Sequence, residues 1–215
     1  MPRKSKPRPG ARDGRNPRVW VEPRRIRVRL TPDPVDRLAL DFCSALEDAH
    51  VRYAVVSGYV AILLGRNRLS EDVDVFTEPM GLKRFRALHT ALNKSFECIT
   101  PGSPARLLRD YLAAGEESTS IRYARPGRFS PNAELKFASK SHHHYSLERR
   151  FPVDVNGQRV YIGALEMDIA YKVMMGSEKD LADARWVYDR TRGILDQGEL
   201  KDLMEGLGAH ADWIA

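Results

Sequence analysis

The segment at residues 57–76, SGYVAILLGRNRLSEDVDVF, limits the possible fold most, because it puts two acidic residues into an apolar strand. Alternate residues of a β-strand share a face, so Asp72 and Asp74 point one way and Val73 and Val75 the other. Two neighbouring carboxylates repel each other, and burial increases the repulsion. A divalent cation such as Mg²⁺ neutralises such a pair. The pattern therefore predicts a metal site; the alternative is an exposed edge strand with two solvated aspartates.

A phosphate-binding turn is predicted just before this strand. An apolar strand ends at Ser57 and Gly58, and a short helix follows and ends at Gly65. Backbone N–H groups at such a turn can bind a phosphate, Gly58 allows close approach, and the Ser57 hydroxyl can donate a hydrogen bond. Arg66 and Arg68 could neutralise a triphosphate, or they could be ordinary solvated loop residues. A phosphate site beside paired metal ligands is typical of phosphoryl or nucleotidyl transfer.

The remaining patterns predict an α+β (α/β-type) fold. In the segment 31–50, Thr31 is the predicted N-cap of a helix and Pro32 its first residue. The segment 153–162 contains Asn-Gly between two alternating runs, which predicts a hairpin. The other predicted elements are an edge strand over 19–30, helices over 81–96 and 104–115, strands over 119–125 and 133–139, two helices separated near Gly176, and a last helix over 197–207.

Composition and cysteine usage predict a protein of the cytoplasm with no membrane partner. No apolar run approaches the roughly 20 residues that a membrane-spanning helix needs. No apolar segment follows the basic N-terminal residues, as a secretory signal would require. Cys43 and Cys98 lack metal-ligand spacing and are interpreted as reduced, buried residues. An apolar fraction of 42% is sufficient for one hydrophobic core.

The positive charge is concentrated at the N-terminus. Residues 1–30 hold 11 Lys/Arg and 2 Asp/Glu, whereas the rest of the chain holds 24 and 27, so the first part carries +9 and the rest −3. Residues 1–18 are rich in Pro, Arg and Gly, and they are predicted to form a disordered basic arm. Such an arm could contact RNA phosphates. The alternative is a solubilising extension that contacts nothing.

Two segments resemble a known family. The run YAVVSGYVAILLGRNRLSEDVDVF at 53–76 resembles the signature of the DNA polymerase β-like nucleotidyltransferase superfamily, in which a small-residue pair is followed by Asp-apolar-Asp. The run LEMDIAYKVMMGSEKDLADARWVYD at 165–189 is similar to the helical segment that small prokaryotic members carry, including the AbiEii-like toxin proteins. The resemblance implies a mixed β-sheet flanked by helices. It departs from the family pattern at Ser57, where the family usually has Gly.

The resemblance also implies a third carboxylate on a neighbouring strand. Glu134 is the expected residue, and Asp154, which precedes a turn, is the competitor. Asp72, Asp74 and Glu134 would then hold two Mg²⁺ roughly 3.5–4 Å apart, and Glu134 would help to deprotonate the acceptor hydroxyl. Ser57 and Gly58 would bind the phosphates of an NTP such as ATP.

The helical segment implies further substrate-side residues. Lys172, Lys179, Asp180 and Asp183 resemble those of the family. Lys179 and Asp183 are four residues apart, so they could equally form a plain ion pair on a helix surface. The three adjacent histidines at 142–144 cannot all bind one ion, and they are predicted to lie in a mobile loop near the acceptor site.

The resemblance and the motifs together predict a nucleotidyltransferase. The expected domains are the arm at 1–18, a nucleotidyltransferase core at 19–163 and a helical section at 164–215 that packs on the core. The expected reaction moves NMP from an NTP to a hydroxyl and releases pyrophosphate. One alternative is a catalytically silent nucleotide- or RNA-binding protein of the same fold. Another is a toxin that acts on tRNA and has a cognate antitoxin as its partner.

Overall fold

A computed structural model describes residues 15, 17–113 and 115–209, and these residues form one nine-stranded mixed sheet with eight α-helices. The strands are β1 (Arg18–Glu22), β2 (Arg25–Arg29), β3 (Tyr53–Val56), β4 (Asp72–Thr77), β5 (Glu97–Cys98), β6 (Ile121–Ala124), β7 (Asn132–Phe137), β8 (Phe151–Val155) and β9 (Gln158–Ile162). The helices are α1 (Pro34–Asp48), α2 (Gly58–Leu63), α3 (Leu82–Leu92), α4 (Pro104–Leu107), α5 (Ser141–Glu148), α6 (Leu165–Met175), α7 (Glu178–Thr191) and α8 (Gln197–Leu207). The predicted fold class is confirmed.

The order of the strands across the sheet is β1-β2-β8-β9-β3-β4-β7-β6-β5. The strand with the two aspartates, β4, pairs with β3 on one side and with β7 on the other, so it lies in the interior of the sheet. Its Val73 and Val75 are buried on the face that packs on α1 and α3. The strand is therefore not an exposed edge, and its aspartates share the opposite face.

That opposite face is partly covered by α5, which packs on β3 and β4. A small apolar cluster fixes this packing, and its members are Ala54, Val56, Ala138 and Leu147. The segment SHHHYSLE of α5 was predicted to be a mobile loop, and that prediction is wrong. The segment has no side-chain cap. The burial of His143, Ser146 and Leu147 on one side of the helix accounts for its position, and such burial is a tertiary effect that the local pattern does not reveal.

The start of α1 also differs from the prediction by two residues. Asp33 rather than Thr31 is the N-cap, and its carboxylate accepts hydrogen bonds from the backbone N–H groups of Val35 and Asp36. Asp36 accepts in return from the Asp33 N–H, which completes a capping box, and Pro34 rather than Pro32 begins the helix. The two aspartates together satisfy three backbone donors, which a single threonine at position 31 cannot do.

Other local predictions agree with the structure. The Asn-Gly pair joins β8 to β9 with φ of 53° at Asn156 and 96° at Gly157, as a two-residue hairpin requires. Gly176 ends α6 in the left-handed conformation. Phe85, Leu88 and Leu92 are buried on one face of α3. The predicted edge strand over 19–30 is instead a hairpin, β1 and β2, and the short strand β5 was not predicted.

Part of the predicted basic arm is ordered. Arg15 is buried, and its guanidinium makes two hydrogen bonds to the Asp36 carboxylate at 2.8 and 3.1 Å and one to the Ile62 carbonyl at 2.7 Å. Arg18 begins β1. The rest of the predicted arm, residues 1–14 and 16, lies outside the described residues, as do residues 210–215 of the predicted helical section. The boundaries of the three predicted domains stay a prediction.

Cys43 is buried and Cys98 is half-buried, and both are free thiols. Within 15, 17–113 and 115–209, no helix has the length and apolar character needed to span a bilayer.

Candidate active site

Three carboxylates meet on the open face of the sheet. The parallel register of β4 and β7 places Asp74 directly beside Glu134, and Asp72 lies two residues away on the same face. Burial, then the charge of Asp72, then that of Glu134 raise the pKa of Asp74 to about 6. A cluster of this kind is unfavourable without a cation, and it sits where the sequence predicted it.

Each of these carboxylates has a hydroxyl neighbour. Ser57 donates to Asp74 through its side chain. Ser70 Oγ donates to Asp72 Oδ1 at 2.9 Å, and Ser120 Oγ donates to Glu134 Oε2 at 2.8 Å. Glu134 also forms an ion pair with Arg122 on β6, at 2.6 Å between Nη2 and Oε1. These bonds orient the carboxylates toward the same face of the sheet.

The carboxylates do not form a complete metal cage. Among the described side chains, no group of three or more His, Cys, Asp or Glu is arranged to hold a metal ion. This arrangement still suits Mg²⁺, which is commonly held by one or two carboxylates together with substrate phosphates and water. The donor set is the hard oxygen type that Mg²⁺ prefers, and the pKa of Asp74 is raised first by burial and then by the like charges that a cation would neutralise.

Ser57 has a strained backbone conformation that another helix holds in place. Its φ is +64°, a region that favours glycine, which gives a physical reason for the glycine that the family usually has here. Lys172 Nζ on α6 donates to the Ser57 carbonyl at 3.0 Å. Lys172 also pairs with Asp168, one turn earlier on α6. Lys172 is thus brought to the site, as the resemblance implied.

Asp168 was missed by the sequence analysis. Burial raises the pKa of Asp168, and the neighbouring charge of Lys172 opposes that rise. The available signal was an Asp and a Lys four residues apart on a helix whose other residues, Met167, Ile169 and Ala170, are apolar and buried. Burying a charged pair on a helix has a desolvation cost, so such a pair indicates further polar contacts or a functional role.

Arg66 and Arg68 are not solvated loop residues. Some of their N–H donors are already used within the protein, so only the others could contact a phosphate. Both pair with Asp183 on α7, which is buried, and the Arg68 Nη2–Asp183 Oδ2 distance is 3.3 Å. The guanidinium of Arg68 lies against Gly58: a Cβ built on Gly58 would be 1.7 Å from Arg68 Nη2. Gly58 therefore provides close approach, as predicted, but here the approaching group is an arginine.

The alternative ion pair between Lys179 and Asp183 is wrong, because Asp183 pairs with the two arginines. Lys179 is exposed at the start of α7, and its backbone carbonyl accepts from Arg66 Nη1 at 3.4 Å. Asp180, half-buried, accepts from Ser177 Oγ at 2.6 Å. The structure therefore places these two residues at the edge of the site.

Asp154, the competitor for the third carboxylate, lies on β8, three strand positions from β4. It accepts from the Gly157 N–H at 2.7 Å and pairs with Arg29 at 2.9 Å. The hydrogen bond from Gly157 lowers the pKa of Asp154, which is the behaviour of a turn-flanking aspartate. Only Glu134 of the two is beside Asp74.

A cavity opens beside the carboxylates. It has a volume of about 370 Å³, and its lining includes Ser57, Asp74, Glu134, Lys136, His142 and Tyr171. A second cavity of about 170 Å³ is lined by several of the same residues and by Lys172 and Asp180. The His142 and Tyr171 rings stack at 4.6 Å with a 21° angle, and burial lowers the pKa of His142. The cavities combine carboxylates, amines and stacked rings.

Comparisons with known proteins match the fold and not the sequence. No protein-family model matches the chain, and no curated protein matches it. A crystal structure of an antigenic nucleotidyltransferase-like protein from Paracoccidioides brasiliensis is 20% identical, with 82% of this chain and 88% of that chain covered and a TM-score of 0.53.

Two structures of the antibiotic-resistance factor ANT(2'')-Ia also match. Its solution structure is 11% identical, with 80% of this chain and 90% of that chain covered and a TM-score of 0.52. Its crystal structure in complex with adenylyl-2''-tobramycin is 10% identical, with 78% and 92% covered and a TM-score of 0.50. At such identities the likeness shows the fold alone: this chain has a nucleotidyltransferase-like fold.

Proposed function

We propose that the protein is a metal-dependent nucleotidyltransferase that moves NMP from an NTP to a hydroxyl acceptor and releases pyrophosphate. The observation that carries the proposal is the register that places Asp72, Asp74 and Glu134 on one sheet face beside a cavity. Like charges collected in this way destabilise a protein unless they serve a cation. A nucleotidyltransferase-like fold agrees with this chemistry.

The charged side chains at the candidate site form two groups with different proposed roles. Asp72 and Asp74 would hold Mg²⁺, and Glu134 would complete a second Mg²⁺ position. Arg68, which lies against Gly58, and Lys172, which binds the Ser57 carbonyl, would face the negative triphosphate. Bound Mg²⁺ would supply charge neutralisation at the phosphates and activate the acceptor oxygen.

The transfer itself forms one bond and breaks one. The acceptor oxygen attacks the α-phosphorus, the bond from that phosphorus to its bridging oxygen breaks, and pyrophosphate leaves. Glu134 is the group proposed to take the proton of the acceptor hydroxyl. It must first leave Arg122, whose side chain is 55% exposed and therefore able to turn toward solvent. His142, whose pKa is lowered by burial, is a second proton acceptor in the same cavity.

A specific observation also favours the silent binding protein. Glu134 is already bound by Ser120 and Arg122, and within the described residues the acidic side chains do not converge as in a formed metal centre. In that case the protein would bind NTP and leave it unchanged. A turnover measurement separates the two functions.

The identity of the acceptor is the finer part of this proposal. The likeness of residues 165–189 to AbiEii-like proteins favours tRNA as the acceptor and an antitoxin as a partner. The ANT(2'')-Ia complex, whose ligand is adenylyl-2''-tobramycin, favours a small molecule with several hydroxyls. Both acceptors belong in the first assay.

The test incubates the full chain and Mg²⁺ with each NTP, labelled at the α-phosphate, and with total RNA, cell protein or tobramycin. Transfer of label to one acceptor, with loss of transfer on chelation, is the expected result. Nucleotide binding without transfer to any acceptor would instead support the silent protein. Absence of binding would refute both.

A matched pair of variants tests the third carboxylate. Glu134→Gln should lower turnover by orders of magnitude and leave nucleotide affinity close to that of the wild type, because the aspartate pair would hold the metal that carries the triphosphate. Asp154→Asn, which removes the competing carboxylate, should leave turnover nearly unchanged. Steady-state kinetics and equilibrium nucleotide binding measure the two effects. The opposite result would place the third carboxylate on β8.

A further inference from the structure

The sheet extends well beyond the candidate site, and its far end is open on the same face. The register of β1, β2, β8 and β9 aligns Trp20, Arg27, Asp154 and Arg159 across the four strands. The pairing of β9 with β3 and of β3 with β4 puts these side chains on the face that carries Asp74. We call this region the basic sheet face.

The basic sheet face is strongly positive. Arg18, Arg24, Arg25, Arg29 and Arg159 are exposed, and Arg27 and Arg150 are half-buried. Against these seven arginines, the described strand residues of this face offer two carboxylates. Glu22 pairs with Arg25 and Arg27, and Asp154 pairs with Arg29. The excess is local, because the chain after residue 30 is net negative.

Aromatic rings lie among these arginines. Trp20 is 44% exposed at the edge of the sheet. The guanidinium of Arg150 lies 3.8 Å above the centre of the Tyr161 ring. A cavity of about 440 Å³ is lined by Arg24, Arg25, Asp154, Arg159 and Tyr161. Trp20 is therefore the exposed ring, and Tyr161 is half-buried beneath Arg150. An exposed ring among arginines is an element with which proteins bind single-stranded nucleic acid, since the ring stacks on a base and the arginines contact phosphates.

We propose that the basic sheet face binds single-stranded RNA. Charge complementarity requires a polyanion, and the exposed Trp20 favours unpaired bases over a duplex, in which the bases are already stacked. The carboxylates of Glu22 and Asp154 repel phosphate, but that of Glu22, on the edge strand, can also accept hydrogen bonds from ribose 2′-hydroxyls. That hydroxyl is what lets a protein distinguish RNA from DNA.

This surface connects two parts of the molecule. The predicted basic arm comes shortly before β1 in the sequence, and its residues 1–14 hold five further Lys and Arg. Asp154 on β8 is three strand spacings from β4, and the register puts it level with a point four residues along from Asp74, so the two are roughly 19 Å apart. RNA on the basic sheet face could therefore present a hydroxyl to the candidate site. That last step rests on the proposed function, whereas RNA binding does not.

The test measures binding of the full chain to a fluorescent oligouridine over a series of salt concentrations, without nucleotide. The patch variant carries Arg24→Gln, Arg25→Gln and Arg159→Gln. The control variant carries Arg86→Gln, Arg106→Gln and Arg109→Gln, exposed residues of α3, α4 and the following π-helical turn, and it removes the same charge elsewhere. Thermal unfolding shows whether each variant is folded.

The patch variant should bind RNA more weakly and lower the salt slope by about 2, since each lost contact to single-stranded phosphate removes about 0.7. The control variant should bind as the wild type does. Trp20→Ala should weaken binding roughly 5- to 150-fold with an unchanged salt slope, because stacking releases no counterions. Trp20 is exposed, so this variant should fold even if the patch variant does not.

Three results would overturn the proposal: no RNA binding by the full chain, equal weakening by the patch and control variants, or equal affinity for the oligothymidine of the same length. Nucleotidyl transfer does not enter the measurement. Failure of the proposed function would therefore leave the binding result intact, and failure of RNA binding would leave the proposed function to its own test.

Discussion

Asp74 carries an electrostatic penalty in the candidate site. It is paired in register with Glu134 and lies two residues from Asp72, and its pKa of about 6 results first from burial and then from those two charges. Ser57 and Lys172 lower that pKa but do not offset the rise. The aspartate would be stabilised by a cation, and without one it should cost stability at neutral pH.

The first prediction concerns the pH dependence of this cost. The pKa of Asp74 in the folded protein, about 6, exceeds the ordinary value of 3.8, so the folded state binds more protons than the unfolded state between these values. The free energy of unfolding should therefore fall as pH rises from about 4 to about 6, by as much as about 3 kcal/mol. In the metal-free protein, Asp74→Asn should remove this loss.

Chemical denaturation in the presence of a chelator measures it. Asp74→Asn should be more stable than the wild type at neutral pH and equal to it near pH 4. Asp202→Asn, at an exposed position of α8, is the control and should differ at neither pH. A wild-type protein that is as stable as Asp74→Asn at neutral pH, with no metal present, would show that the carboxylates do not repel each other as described.

At the scale of residues, the sequence predicted which side chains share a face better than it predicted their ion-pair partners. The alternation of VDVF was sufficient to put Asp72 and Asp74 on one face. The partners of Arg66, Arg68 and Asp183 could not be predicted, because more than a hundred residues separate the arginines from the aspartate. The local i,i+4 pair was the natural expectation, and the tertiary structure replaced it.

At the scale of elements, the junction of β3 and α2 depends on the C-terminal helices. Lys172 from α6 holds the Ser57 carbonyl, and Asp183 from α7 holds the arginines that lie beside Gly58. The turn at Ser57 and Gly58 is thus assembled from segments more than a hundred residues apart. We expect its geometry to respond to changes in α6 and α7 as well as to changes in the turn.

Gly58→Ala tests this assembly. The added methyl would displace the Arg68 guanidinium, whose Nη2 atom is 1.7 Å from the built Cβ, and Arg68 can move because it is the end of a flexible side chain. Nucleotide affinity should fall as much as it does in Arg68→Ala, whereas stability should change by only about 1 kcal/mol. Titration calorimetry with a nucleotide analogue and Mg²⁺ measures the affinity.

The double variant, which combines Gly58→Ala with Arg68→Ala, tests whether the two changes act through the same interaction. If Gly58→Ala acts through Arg68, adding Arg68→Ala should cost no further affinity, since the two changes remove one interaction. Gly206→Ala, in the exposed part of α8 where a Cβ meets nothing, should leave affinity unchanged. Strictly additive losses in the double variant would show that Gly58 and Arg68 act separately.

Elements with a strong local signal were predicted correctly, and elements set by packing were not. The Asn156-Gly157 turn and the end of α6 at Gly176 have residue types that few other conformations accept. Helix α5 has neither a cap nor a strong apolar period, and it depends on His143 and Leu147 packing on the sheet. The two-residue strand β5 exists through its pairing with β6.

Across the whole molecule, the Lys and Arg residues of the first 30 positions fall into three groups. Arg15 is buried in an ion pair with Asp36, Arg18 and the arginines of 24–29 lie on the basic sheet face, and the Lys and Arg of residues 1–14 lie outside the described residues. The sequence predicted a disordered arm at 1–18, which included Arg15 and Arg18, and an edge strand over 19–30. The structure divides them into a stabilising residue, a surface and a predicted arm.

Two truncations should separate the contribution of residues 1–14 from that of Arg15. Deletion of residues 1–14 removes five Lys/Arg and, apart from Met1 and Ala11, no apolar side chain of the kind that forms a core, so stability should be retained. RNA binding should weaken, and its salt slope should fall by up to about 3.5 if each of the five lost charges contacts a phosphate.

Deletion of residues 1–18 also removes Arg15, and loss of one partner of a buried ion pair should cost about 3–5 kcal/mol. Full-length Arg15→Ala should reproduce that loss while keeping the other charges of the arm, and chemical denaturation with RNA titrations in parallel measures both effects. A chain that begins at residue 19 and is as stable as the full protein would show that the Arg15–Asp36 pair contributes nothing to the fold.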